Sequence, residues 1–236
     1  MRASLRDAFA GLLRCFAAVA VISLFSLAAP AQAPRPAAME LVLAIDVSTS
    51  VDAEEFALQM RGIAAAFRHP DVVAAIARLG ERGLAVTLVQ WSGARIQRTA
   101  VGWTLIRDAA GAGRFAVAVE AAPRQLHGLT SLGGAIRYSL AALEANGFDG
   151  RREIIDVSGD GHSGLSPARE RDRALARGVV INGLAILSEQ PDLAAYFAGH
   201  VIGGEGAFVL TADSYADFAD AIRDKLIQEM GVKSCC

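Results

Sequence analysis

Short runs of continuously apolar residues alternate with amphipathic stretches along most of this sequence. Leu41–Ile45 is the clearest apolar run, and a strand without polar alternation is typical of a parallel sheet that is covered on both faces. The next stretch repeats large apolar residues at helical spacing from Phe56 to Phe67. This alternation predicts an α/β fold with a doubly wound, mainly parallel central sheet flanked by helices.

The pattern continues to the end of the chain. Further strands are predicted at 83–91, 154–157, 179–187 and 207–210, and further helices at 72–79, 108–121, 132–145, 168–176 and 215–230. Residues 96–103 alternate more freely with polar residues, which predicts one antiparallel edge strand. Asp52-Ala53-Glu54-Glu55 has the form of a capping box and predicts the start of the first helix.

The beginning of the chain has the features of an export signal. Three arginines precede an apolar run from Cys15 to Ala29, and Ala31-Gln32-Ala33 has the small-residue spacing of a cleavage site. This order is typical of a secretory signal peptide. An uncleaved anchor is the less favoured alternative, because the run is shorter than the roughly 20 apolar residues that span a bilayer. We predict cleavage after Ala33 and a periplasmic or secreted protein with no membrane span after cleavage.

The remaining boundaries follow from composition. We predict a signal peptide at 1–33, an extended linker at 34–38 around Pro34-Arg35-Pro36, one domain at 39–232 and a disordered tail at 233–236. The tail ends in Cys235 and Cys236. Their Cα atoms lie about 3.8 Å apart as chain neighbours, closer than a disulfide usually accepts, so we expect no structural bridge between them.

Oxygen-bearing side chains stand where the predicted strands end. Asp46, Ser48 and Ser50 leave the first buried strand at alternate positions and can therefore offer three oxygens to one point. Asp160 follows a later buried strand, and Thr130 stands in the turn before a predicted helix. Sites in such sheets form at the carboxyl ends of strands, so we expect these five residues at one edge. Oxygen-only donors suit a hard cation such as Mg²⁺ or Mn²⁺.

These residues resemble the metal-ion-dependent adhesion site (MIDAS) of von Willebrand factor A (VWA) domains. That site has Asp-x-Ser-x-Ser after the first strand, a Thr before a helix and Asp-Gly after a later strand. The resemblance covers residues 39 to about 230. It implies that Ser48, Ser50 and Thr130 bind the cation directly, and that Asp46 and Asp160 bind it directly or through water. The sequence is most similar to an uncharacterised bacterial family of exported VWA-like proteins in the segments 46–54, 157–161, 181–184, 201–204 and 206–208.

The predicted function is binding of a protein partner, without catalysis. Neutral hydroxyls leave much of a cation's charge uncompensated, so an open coordination position would attract an acidic residue of the partner. An exported metal-dependent hydrolase is one alternative, but aspartyl phosphatases need a second carboxylate where this chain has Ser48. A structural VWA scaffold with an empty site is the other. The formal net charge of −2, without a basic stripe, argues against binding to nucleic acid.

Three further polar residues lie close to these motifs. Gly161-His162-Ser163-Gly164-Leu165 resembles a hydrolase nucleophile elbow except at its last position, where Leu165 replaces Gly. We interpret His162 and Ser163 as loop residues that contact the partner. Asp156 lies inside an apolar strand and is interpreted as a hydrogen-bonded structural carboxylate.

Overall fold

Helices and strands follow each other in the alternation that the sequence predicts. The structure, a computed structural model, describes residues 33–231; the predicted signal peptide up to residue 32 and the predicted tail with Cys235 and Cys236 lie outside this range. In chain order the elements are β1 (Arg35–Ala37), β2 (Met39–Asp46), α1 (Ala53–Arg68), α2 (Pro70–Arg78), a 3₁₀ turn (Gly80–Arg82), β3 (Leu84–Trp91), β4 (Gln97–Ile106), α3 (Ala109–Ala121), α4 (Leu132–Glu144), β5 (Phe148–Gly150), β6 (Glu153–Gly159), α5 (Ala168–Leu175), β7 (Val180–Ile186), α6 (Leu193–Tyr196), a π-helical turn (Phe197–Val201), β8 (Val209–Ala212) and α7 (Phe218–Gly231).

The central sheet has the strand order β4-β3-β2-β6-β7-β8. Its neighbouring strands are parallel except β3 and β4, so β4 is an antiparallel edge strand. The first long strand, β2, lies in the middle, where Leu41 pairs with Val86 of β3 and Ile154 of β6. The predicted fold class, a doubly wound and mainly parallel α/β sheet with one antiparallel edge strand, is confirmed.

Helices cover both faces of this sheet. Successive side chains of a strand point to opposite faces, and Leu41 and Leu43 accordingly pack into the core beneath α1, α3 and α7. Val42 and Ala44 pack into the second core, beneath α4. Both faces of β2 are therefore buried, which is why its segment Leu41–Ile45 is continuously apolar. Within residues 33–231, no helix combines the length and the apolar character that crossing a membrane requires.

The start of α1 fixes the loop that follows β2. The Asp52 carboxylate accepts hydrogen bonds from the backbone N–H groups of Glu54 and Glu55, at 2.7 and 2.8 Å. The Glu55 carboxylate accepts in return from the Asp52 N–H at 2.8 Å. This is the predicted capping box, and it anchors the chain two residues after Ser50.

The segment predicted as a linker is instead partly a strand. β1 pairs in parallel with β5, with Arg35 opposite Phe148 and Ala37 opposite Gly150, and Ala37 is buried. The buried Glu40 carboxylate accepts hydrogen bonds from the Gly150 N–H at 2.5 Å and from the Asn146 amide. These contacts hold β1 and β5 against the domain, so residues 35–37 belong to the fold.

A buried ionic cluster attaches α7 to the sheet. The Lys225 ammonium lies 2.6 Å from Asp156 of β6 and 2.9 Å from Glu229. The Asn182 side chain on β7 donates to the same Glu229 carboxylate at 3.0 Å. Burial raises the pKa of Asp156 to about 7, against the opposing effect of the Lys225 charge. Asp156 is therefore an ion-paired structural carboxylate that helps to fix α7 on the sheet.

Candidate metal centre

The five predicted metal ligands lie on loops at one edge of the sheet. Asp46 is the last residue of β2, and Asp160 directly follows β6. These strands are parallel neighbours, so their carboxyl ends meet at the same edge. Thr130 lies in the segment before α4 and completes the group from a third part of the chain.

Hydrogen bonds connect all five residues. The Asp46 carboxylate accepts from the Ser48 N–H at 2.7 Å, and the hydroxyl oxygens of Ser48 and Ser50 lie 3.2 Å apart. The Thr130 hydroxyl donates to Ser48 Oγ at 3.3 Å, and the Ser50 hydroxyl donates to Asp160 Oδ1 at 2.9 Å. The structure therefore brings the predicted ligands together; that they bind a cation stays a prediction.

The Asp46 carboxylate is the electrostatically unusual member of this group. Its side chain is fully buried, and Oδ2 has no hydrogen-bond partner among the described residues. Burial, and after it the negative charge of Asp160, raise the pKa of Asp46 to about 8 from an ordinary value of 3.8. A buried carboxylate oxygen without a partner is costly, and a cation at this position would remove that cost.

The donor set fits a hard cation. Two carboxylates and three hydroxyls supply oxygen atoms, which Mg²⁺ and Mn²⁺ prefer in proteins. Across residues 33–231, no group of three or more His, Cys, Asp or Glu side chains is arranged to hold a metal ion. Cation binding at this edge would therefore depend on the hydroxyl oxygens of Ser48, Ser50 and Thr130 as well as on Asp46 and Asp160.

Arg124 holds the loop that carries the two serines, and sequence reasoning did not identify it. Its guanidinium donates to the carbonyls of Val47, Ser48 and Asp52, at 3.1, 2.9 and 3.2 Å. These three hydrogen bonds from one planar guanidinium group fix the backbone on both sides of Ser50. Arg124 is separated from Ser48 by 76 residues, and no local pattern marks it.

Tyr215 and Gln59 position the two acidic residues and were also not predicted. The Tyr215 hydroxyl donates to Asp160 Oδ2 at 3.1 Å. Burial, followed by the charges of Asp160 and Asp46, raises the pKa of the Tyr215 phenol, so this group acts as a neutral donor. The Gln59 amide on α1 donates to the Asp46 carbonyl at 3.1 Å. The first contact links the centre to the turn before α7, and the second links it to α1.

Gly159 permits the close approach of β6 to the centre. A Cβ atom at this position would lie 3.0 Å from Asp46 Oδ2 and 3.2 Å from the Trp91 ring. Neither neighbour can move away easily, because both are fully buried. A larger residue here would displace the carboxylate.

His162 and Ser163 lie next to the centre but make contacts within the protein. The Ser163 hydroxyl accepts from the Leu132 N–H at 3.3 Å, so it satisfies one of the free donors at the start of α4. The His162 ring centroid lies 4.3 Å from that of Tyr196, and its backbone N–H donates to the Gln190 side chain at 3.0 Å. Both side chains are half-buried. Their contact with a partner remains a prediction.

The sequence matches a known family over nearly all of the described range. Residues 36–234 match the family described as "Protein of unknown function (DUF1194)". Among curated proteins, none matches the sequence.

Solved structures with a similar fold come from several organisms. Proximal thread matrix protein 1 (PTMP1) from the mussel byssus, with a zinc-occupied MIDAS motif, is 16% identical at a TM-score of 0.58, over 84% of this chain and 48% of that one. The pilus adhesin SpaC from Lactobacillus rhamnosus GG is 14% identical with a TM-score of 0.59, and the match covers 82% of this chain and 30% of that one. The vWF domain of the pili tip protein Mfa5 from Porphyromonas gingivalis is 10% identical with a TM-score of 0.54, and the match covers 86% of this chain and 99% of that one. This chain thus spans less than half of PTMP1 and less than a third of SpaC, and the likeness shows that its fold is of the VWA type.

Proposed function

Since the chain belongs to the DUF1194 family and has the VWA fold, we propose that it is an exported, divalent-cation-dependent protein-binding module. The proposed cation ligands are Asp46, Ser48, Ser50, Thr130 and Asp160. The partner would supply an acidic residue to an open coordination position. The proposed mature chain begins after a signal peptide at 1–33, and its VWA-like domain extends from β1 to α7.

One observation carries this proposal: the buried Asp46 Oδ2 has no hydrogen-bond partner in the part of the chain that the structure describes. The hydroxyls of Ser48 and Ser50 lie within the same hydrogen-bond network. A bound cation would satisfy this oxygen and would accept lone pairs from the hydroxyls. The positive charge of Arg124 acts against the raised pKa of Asp46, but its guanidinium donates its hydrogen bonds to backbone carbonyls and not to Asp46 Oδ2.

The chemistry of the donor set favours binding over catalysis. Three of the five proposed ligands are neutral hydroxyls. If Asp46 and Asp160 bind the cation through water rather than directly, the cation keeps uncompensated charge that attracts a further anion. A metal-dependent hydrolase also needs a positioned general base, whereas the Asp160 carboxylate is already occupied by the hydroxyls of Ser50 and Tyr215. We therefore propose a role without catalysis, in which the carboxylate of a partner completes the coordination.

The choice of cation follows from the same donors. We propose Mg²⁺ or Mn²⁺, because oxygen-only sites suit hard cations. The zinc-occupied MIDAS motif of PTMP1 supports a divalent cation in this kind of site. The similarity in fold to a pilus adhesin and a pili tip protein supports a binding role outside the cytoplasm, in the periplasm or after secretion.

A peptide selection tests this function. The protein is immobilised in Mg²⁺ and exposed to two displayed peptide libraries with randomised flanks, one with a fixed central Asp and one with a fixed central Asn. We expect EDTA to release Asp peptides in large excess over Asn peptides from the wild type, and not from the Ser50→Ala variant. Thr104→Ala, which removes an unrelated hydroxyl on β4, is the matched control and should behave as the wild type. Equal recovery of the two libraries would contradict the proposal.

A further inference from the structure

The most exposed large apolar side chains of the described residues lie next to the candidate metal centre. Leu129 is 82% exposed and Leu165 is 78% exposed, and Ile96 and Val117 are the other exposed large apolar residues of residues 33–231. Leu129 directly precedes Thr130, and Leu165 lies five residues after Asp160. Single exposed apolar residues are common on protein surfaces, but these two stand in the loops that supply two of the proposed ligands.

The two loops adjoin each other. Ser163 in the second loop accepts a hydrogen bond from the Leu132 N–H, which follows the first loop. A Cβ atom at Gly161 would lie 3.7 Å from the Thr130 hydroxyl. The loops that carry the two exposed leucines are therefore in contact with each other beside the centre.

Ile96 extends this surface to a third loop, between β3 and β4. A Cβ atom at Gly128 would lie 3.1 Å from Ile96 Cδ1, so the isoleucine packs directly against the Leu129 loop. The same loop is joined to the serine loop, because both the N–H and the hydroxyl of Thr49 donate to the Gly128 carbonyl at 2.9 Å. Apolar residues thus lie beside the hydroxyl ligands.

We propose that Ile96, Leu129 and Leu165 form an apolar rim that receives apolar side chains flanking the carboxylate of the partner. This inference rests on the proposed function, because the rim is continuous with the site where that carboxylate would bind. A cation recognises an acidic residue but does not distinguish one acidic residue from another. The rim adds this selectivity: burial of an apolar flank against a leucine contributes to affinity, and a polar flank would be desolvated without gain. The partner segment is therefore an Asp or Glu with large apolar residues within a few positions of it.

The peptide selection described above also tests the rim when the flanks of the retained Asp peptides are sequenced. We expect large apolar residues to be enriched around the fixed Asp. A retained peptide should bind the Leu129→Ser, Leu165→Ser double variant about 100-fold more weakly than the wild type, since each buried leucine contributes about tenfold. Mn²⁺ binding of the double variant, measured by isothermal titration calorimetry, should be unchanged. Val117→Ser on α3 removes another exposed apolar side chain, which is 59% exposed and lies outside these loops, and it should alter neither result.

The outcomes separate the rim from the metal centre. If EDTA does not release more Asp peptides than Asn peptides from the wild type, the proposed function fails. If Asp peptides are retained with polar or random flanks, or if the double variant binds them as tightly as the wild type, the function stands and the rim is overturned. Loss of Mn²⁺ binding in the double variant would also overturn the rim, because the leucines would then act through the centre itself.

Discussion

Cation binding should weaken sharply as the pH falls, because Asp46 must lose a proton to become a ligand. Its pKa is raised to about 8 by burial and by Asp160. Below this pH the cation-free protein holds a proton on Asp46 that a bound cation displaces.

The size of the effect follows from that pKa. Each pH unit below 8 should weaken the apparent affinity about tenfold, so binding at pH 6 should be about 100-fold weaker than at pH 9, or about 2.7 kcal/mol. The free energy of unfolding of the cation-free protein should change in the opposite sense and rise as the pH falls. The folded state keeps a proton that the unfolded chain releases at its ordinary pKa of 3.8, so the free energy of unfolding in EDTA should fall as the pH rises from about 4 to about 8.

Calorimetric titration with Mn²⁺ at pH 6, 7, 8 and 9 and constant ionic strength measures this dependence. Repeating the titration at pH 6 in buffers of different protonation enthalpy should show release of about one proton per cation. Asp46→Asn keeps the shape of the side chain and removes its titration, so the variant should bind weakly and without this pH dependence. Asp71→Asn changes an exposed carboxylate at the start of α2 and should leave the dependence intact. Equal affinity of the wild type at pH 6 and pH 9, without proton release, would refute the reasoning.

Three substitutions test the contacts around the centre. Lys225→Met should lower the free energy of unfolding at pH 7 by about 3–5 kcal/mol in urea titrations, because it leaves two buried carboxylates without their cation; a loss below about 1 kcal/mol would show that the pair is not held in the interior. Arg124→Ala should weaken Mn²⁺ binding about tenfold or more in calorimetry, since it frees the loop that carries Ser48, and an unchanged affinity would mean that the loop keeps its shape without the guanidinium. Tyr215→Phe should lower the free energy of unfolding in EDTA by about 1 kcal/mol through loss of the hydrogen bond to Asp160; an unchanged urea midpoint would contradict that contact.

Most of the fold could be predicted from the sequence because its elements carry strong periodic signals. The apolar run at Leu41–Ile45 lies within β2, and the Asp52 capping box begins α1. The error at residues 34–38 has a physical reason. β1 has three residues and pairs through its backbone with another three-residue strand, and so short a segment has no periodicity to detect.

The candidate site could be predicted in part. Asp46, Ser48 and Ser50 lie within five consecutive residues at the end of a buried strand. The pairing of β2 with β6 places Asp160 at the same edge, and Thr130 precedes the predicted helix α4. The supporting residues could not be predicted, because their contacts depend on the tertiary path of the chain. Nothing local indicates that the Arg124 guanidinium binds the carbonyls of a loop 76 residues away. Lys225 likewise occupies a helix position that a sequence reading would place in solvent, yet it is fully buried.

Thermal melting of the protein in EDTA, Mg²⁺ or Mn²⁺, for the wild type and for Asp46→Ala, tests most directly whether the five-residue network holds a cation. At a concentration 100-fold above Kd, a bound cation should stabilise the wild type by about 2.7 kcal/mol. For a domain of this size that raises Tm by about 5–10 °C, and the rise should be absent from the variant. No rise in the wild type at any cation concentration that stays in solution, or an equal rise in both proteins, would contradict the account.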